Sequence, residues 1–88
     1  MKNGDIFYTF DMSTLHVMKM CTTEAVRKDC IFAVCIRGGT NTSNVRISAE
    51  EAFSSPEDAR QALLDAVVRR INLNYDWTYG QDNKENNE

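Results

Sequence analysis

The sequence predicts an α+β domain: an antiparallel sheet of about four strands, or a small open barrel, with one C-terminal helix packed on it. Three observations carry this expectation. The first half of the chain holds short runs rich in β-branched and aromatic residues, separated by polar turn signals. The second half opens with Ser55-Pro56-Glu57-Asp58, which supplies a hydroxyl cap, a proline whose missing N–H costs nothing in the first helical turn, and two acids at the positive end of the helix dipole. The apolar residues after it recur at spacings of three and four, the period of a single helical stripe. Strands joined by short turns pair with their neighbours, so the sheet is expected to be a meander.

Each element has its own local reason. Asp5 to Phe10 is a compact aromatic and β-branched run with Ile6, Tyr8 and Phe10 on one face, and Asp11 to Thr14 supplies side chains that bond nearby N–H groups in a turn. A second strand is predicted from Leu15 to Thr22, with Leu15 and Val17 on one face and His16, Met18 and Met20 on the other. Thr23 to Asp29 is polar and reads equally as a loop or as the charged continuation of two strands. Cys30 to Ile36 has no charge, and its continuous apolar pattern predicts a central strand covered on both faces. Gly38 to Asn44 is the clearest turn, and Val45 to Ser48 returns as a short fourth strand. Ala49 to Phe53 reads as one helical turn capped by Ser48, with Phe53 in the core. The helix is predicted over about 56–72, its stripe being Ala59, Leu63, Ala66, Val67 and Ile71, with Arg69 and Arg70 in the last turn and Asn72 or Asn74 ending it. Leu73 to Tyr79 alternates aromatics and is expected to be extended, leaving open whether Trp77 is core or interface.

Eighty-eight residues, 42% apolar and 26% charged, suit one globular domain, expected over 1–80 with a polar disordered tail at 81–88. No stretch approaches the ~18 apolar residues of a membrane span, and no apolar segment follows the N-terminal lysine, so a soluble cytoplasmic protein is expected. The net charge of −3 is unevenly placed: Arg27, Lys28, Arg37 and Arg46 make the middle basic, and the acids follow. Four bases interleaved with acids are a thin footprint for phosphate binding, so nucleic acid is disfavoured as a partner. The competing expectation is a small β-rich nucleic-acid-binding accessory protein that uses these four bases, with Tyr8 or Phe10 as a stacking platform.

Three cysteines, Cys21, Cys30 and Cys35, cannot all pair within one chain and read as reduced thiols. Cys30 and Cys35 are an odd number of residues apart, hence on opposite faces of one strand, and His16 alone does not complete a zinc site. No metal, no cofactor and no catalytic set is expected, because one histidine and a small core do not supply nucleophile, base and charge stabiliser together.

From Val45 through Ala59 the chain resembles a type of small uncharacterised protein carried by bacteriophages and mobile elements. Those proteins have an N-terminal Gly-Asp-x-apolar hairpin, matched by Gly4-Asp5-Ile6-Phe7, then further strands. They then open a helix with a phrase matched here by Phe53-Ser54-Ser55-Pro56-Glu57-Asp58-Ala59. The likeness covers residues 4–72, and its motifs are structural, so no catalytic residue is carried over. Small inhibitors of host defence, anti-CRISPR proteins among them, are of this type. The resemblance implies a non-enzymatic protein that inhibits or modulates a host or defence-system protein, such as a defence nuclease complex, by surface binding. The residues expected to carry that binding are the aromatics Tyr75, Trp77 and Tyr79, which have hot-spot chemistry, and the acids Glu50, Glu51, Glu57 and Asp58, which suit a basic partner. The aromatic segment and the tail depart from the family pattern.

Overall fold

A computed structural model describes residues 2–25, 28–39 and 43–86, with side chains as far as Gly80. Four strands, β1 (Ile6–Asp11), β2 (His16–Thr22), β3 (Cys30–Arg37) and β4 (Val45–Ser48), precede a 3₁₀ turn at Ala49–Glu51 and one helix, α1 (Pro56–Asn86). The sheet is antiparallel in the order β1-β2-β3-β4 and curls into a half-barrel, so the α+β expectation is met. The described parts of 23–29 are loop and turn; residues 26 and 27, and residues 40–42 of the Gly38 to Asn44 turn, lie outside the described residues.

Strand alternation assembles the core. Phe7 lies opposite Met20, and Ile31 opposite Ile47, so Phe7, Met20, Ile31, Ala33 and Ile47 meet on one face with Met18, Cys35, Val45 and Ala52 packed around them. The buried Thr22 is satisfied: its hydroxyl accepts from the Asp5 N–H at 2.9 Å and donates to the Lys2 carbonyl. The curl has a local cause. Lys19 pairs with Arg37 but Met20 with Cys35, leaving Ile36 as the extra residue of a bulge that bends β3. Gly38, at φ +90°, then crosses close over β2, where any Cβ would overlap the Val17 carbonyl oxygen.

The first turn differs from expectation by one residue. Asp11 pairs with His16, the Leu15 N–H donates to the Asp11 carbonyl at 2.8 Å, and Leu15 takes φ +60°, so it closes the turn instead of starting β2. The Ser13 hydroxyl and N–H both donate to Asp11 Oδ1, at 2.6 and 2.8 Å. These bonds favour the ionised carboxylate and hold Asp11 below the usual carboxylate range.

After β4 the chain crosses back to the free edge of β1. Phe53 forms an antiparallel bridge with Tyr8, the two residues exchanging N–H···O bonds of 2.7 and 2.8 Å. Its ring stacks on Phe10 at a centroid distance of 6.2 Å, and it is half-buried, a member of the sheet edge where the sequence indicates core. Ser48 makes no side-chain capping bond to the 3₁₀ turn, contrary to expectation. The cap at Ser55 is as predicted: its hydroxyl accepts the Asp58 N–H at 3.1 Å.

α1 packs on β1 and β2, burying Ala59 and Leu63 and half-burying Ala62, Ala66 and Val67. Its packing is mainly on these two strands, and Phe32 and Val34 of β3 stay half-buried, so the second face of that strand is not fully covered. The helix does not stop near 72. It runs to Asn86, so Leu73 to Tyr79 is helical where alternation predicts an extended segment, and Arg69, Arg70, Asn72 and Asn74 are interior positions. Ile71 is exposed because it falls about 80° round the helix from Leu63 and beyond the reach of the sheet. Of the tail expected to be disordered at 81–88, residues 81–86 enter as backbone only and are helical, and residues 87 and 88 lie outside the described residues. From Val68 to Tyr79 every side chain is exposed. Thirty-one residues make a helix about 46 Å long, longer than the sheet is wide, and the radius of gyration is 17.2 Å against ~12 Å for a compact chain of this length. No helix among the described residues is long and apolar enough to cross a membrane.

Three outcomes follow for stability. Ser55→Ala removes a cap and lowers unfolding free energy by about 1 kcal/mol, read from chemical denaturation; an unchanged midpoint would place the helix start elsewhere. Leu15→Gly relieves a left-handed backbone at an exposed position and raises stability by about 1 kcal/mol, and a lower melting temperature would mean the leucine packs in the native turn. Leu63→Asp sets a charge under the sheet at a cost of several kcal/mol and abolishes the cooperative thermal transition.

Candidate protein-docking surface

Where α1 leaves the sheet it forms one wall of a groove of about 700 Å³. Phe10 and Phe53 from the sheet and Ala62, Ala66 and Leu73 from α1 give it apolar walls. The 3₁₀ turn contributes Glu50 and Glu51 to its lining, and α1 contributes Arg69 and Arg70. The groove therefore has apolar walls and charges of both signs at its margins. One turn past Leu73 stands Trp77, 88% exposed, the most open large apolar side chain described.

The helix redistributes the residues expected to form the site. Tyr75 and Tyr79, four apart, lie one above the other with ring centroids 5.2 Å apart. Trp77 falls about 160° round the axis from both, so the three aromatics do not make one patch. Glu57 and Asp58 are exposed in the first turn of α1, close in sequence to Glu50 and Glu51 but about 27 Å along the axis from Tyr75. Of the expected acids, Glu50 and Glu51 reach the groove; Glu57 and Asp58 do not line it.

The half-barrel mouth holds a second cavity, about 920 Å³, lined by His16, Met18, Met20, Cys35, Val45 and Ile47 among others. Cys35 Sγ lies 3.3 Å from the Arg37 carbonyl, and Cys30, on the opposite face, accepts from Arg46 Nε at 3.1 Å. All three cysteines are free and half-buried. Among the described residues no group of three or more His, Cys, Asp and Glu side chains is placed to hold a metal ion.

The bases of the nucleic-acid reading are scattered. Arg37 pairs across strands with Lys19, Arg46 bonds Cys30, Lys28 sits in a turn, and Arg27 lies outside the described residues. Phe10 is stacked on Phe53 and Tyr8 is half-buried beneath the same crossing, so a base would have to displace a packed ring to stack there.

The chain matches no protein-family model, and no curated protein or solved structure is significantly similar to it. The site therefore stands on its own geometry. Sequence reasoning placed Arg69 and Arg70 in the last turn of a helix ending near 72, and so missed that they and Leu73 line one groove. The signal was present: Ala59, Leu63, Ala66, Arg70, Leu73 and Trp77 are spaced 4-3-4-3-4, so the stripe that packs on the sheet continues past its rim into the overhang.

Proposed function

We propose that this chain is a non-enzymatic binding protein, of the type carried by phages and mobile elements, that inhibits or modulates a host protein by occupying its surface; a defence nuclease complex is the kind of target envisaged. One observation carries the reading. Trp77 stands fully in solvent on the helix face that also presents Leu73 and Arg70, at the end of an apolar groove. Tryptophan and arginine are the residues whose burial dominates protein interfaces, and a tryptophan projecting from a rigid helix loses little conformational freedom on docking. Glu50 and Glu51 at the groove, beside Arg69 and Arg70, and Glu57 and Asp58 at the start of α1, about 30 Å along the axis from Trp77, suit a basic protein surface and speed encounter with it.

Capture from host lysate with mass spectrometry names the partner, and variants then test the surface. Trp77→Ala weakens binding by about 30-fold or more, through faster dissociation. Glu50→Lys with Glu51→Lys slows association and flattens its salt dependence while leaving dissociation near the parent rate. Parent-like binding by both variants would move the interface off this surface. Retention on DNA or RNA with a steep salt dependence, and no protein partner, would replace the reading with nucleic-acid binding.

A further inference from the structure

We infer that α1 pairs in parallel with α1 of a second copy of this chain, through a seam made by Leu64, Val68, Ile71 and Tyr75. These four residues are spaced 4-3-4, the spacing of alternating d and a positions in a two-stranded coiled coil, and they are 44–60% exposed. They fall within a 60° arc whose centre lies about 130° round the axis from Ala59 and Leu63, so the seam faces away from the sheet on each protomer. Two copies joined there carry their sheets on the outer flanks.

The helix itself calls for such a cover. Isolated helices owe most of their stability to packing of an apolar face, and beyond Val67 no described side chain through Tyr79 is buried by the sheet. The flanking residues make the seam complementary to itself. Val68 at an a position with Leu64 at d is the pairing that favours two strands, and Ile71 at the next d position departs from it. Arg60 then occupies a g position and Asp65 the following e position, and parallel pairing sets Arg60 of each copy beside Asp65 of the other, twice by symmetry. Gln61, at the a position ahead of the seam, donates from Nε2 to Asp65 Oδ1 at 3.0 Å and so holds that carboxylate at the margin. A polar residue at a single a position fixes register and orientation. Trp77 and Leu73 lie about 150° or more from the seam and stay on the outside, so the tryptophan anchor and the seam use opposite faces of one helix, while Asp65 borders both the seam and the groove.

Sedimentation equilibrium or light scattering on the full chain tests this. The expected species is twice the chain mass of 10.0 kDa, with helical circular dichroism falling on dilution. Ile71→Asp, at an exposed position that leaves the sheet contacts intact, raises the dimer dissociation constant on the order of 100-fold or more. Ile71→Ala, which adds no charge, raises it by a smaller factor in the same direction. Arg60→Asp and Asp65→Arg each weaken the dimer several-fold, and the double exchange restores it, because only parallel pairing sets these two residues opposite one another. Trp77→Ala leaves the dimer intact, which separates this inference from the partner-binding surface. A chain that stays monomeric at ~100 µM overturns the seam. A trimer or tetramer overturns the two-stranded arrangement, and a double exchange that fails to restore dimerisation overturns the parallel orientation.

Discussion

The pair of backbone hydrogen bonds between Tyr8 and Phe53 is the constraint on which the rest of the molecule depends. A four-stranded meander alone has two open edges and one face to cover. By returning the chain from β4 to the outside of β1, this clasp sets how far the sheet must curl, brings Phe53 onto Phe10, and delivers Ser55 and Pro56 beside β1 and β2. The bulge at Ile36 and the glycine at Gly38 supply the bend that makes the return short enough. The direction of α1 follows from where it starts, and its overhang follows from its direction.

The fold was legible wherever the signal was local. Composition marked the strands that carry Phe7, Met20 and Ile47, though on β1 the sequence singled out the face of Ile6, Tyr8 and Phe10 where the buried residue is Phe7; Ser55-Pro56 marked a helix start because a cap and a proline act within one turn. What failed was the far end of the helix. Tyr75, Trp77 and Tyr79 at every second position have the pattern of a strand, yet on a helix the same residues give a tilted pair of neighbouring tyrosine rings and an opposed tryptophan. Two periods fit one short stretch, and only the 4-3 spacing inherited from Ala59 and Leu63 tells them apart. Leu15 failed for a different reason: nothing in a leucine announces a left-handed turn residue, and Asp11, bonded to Ser13, imposed it.

The candidate site was legible as composition and not as arrangement. Tryptophan, tyrosine and acidic residues were recognisable as interface chemistry from the sequence, but which of them share a surface is a matter of helix phase and length. Glu50 and Glu51 reach the groove because the 3₁₀ turn sits at its mouth, whereas Glu57 points elsewhere although it is only six residues further on. Leu73 and Arg70, ordinary residues in the sequence, gain significance from standing between that groove and Trp77.

The topology also orders the chain's assembly. Every strand pairs with its sequence neighbour across a short connection, so the meander needs only small loops to close. Among the described residues the Tyr8–Phe53 clasp joins backbone segments 45 apart in sequence, against 20 for Asp29 and Ala49, and its loop is the costliest to close. Opening that clasp releases Phe53 and the start of α1 together while β1 to β4 keep their pairing. The species so formed bares the edge of β1, a row of unpaired N–H and C=O groups bordered by Ile6 and Tyr8, to any strand that arrives before Phe53 returns. The closing residue therefore guards against strand exchange and aggregation as well as shaping the native sheet.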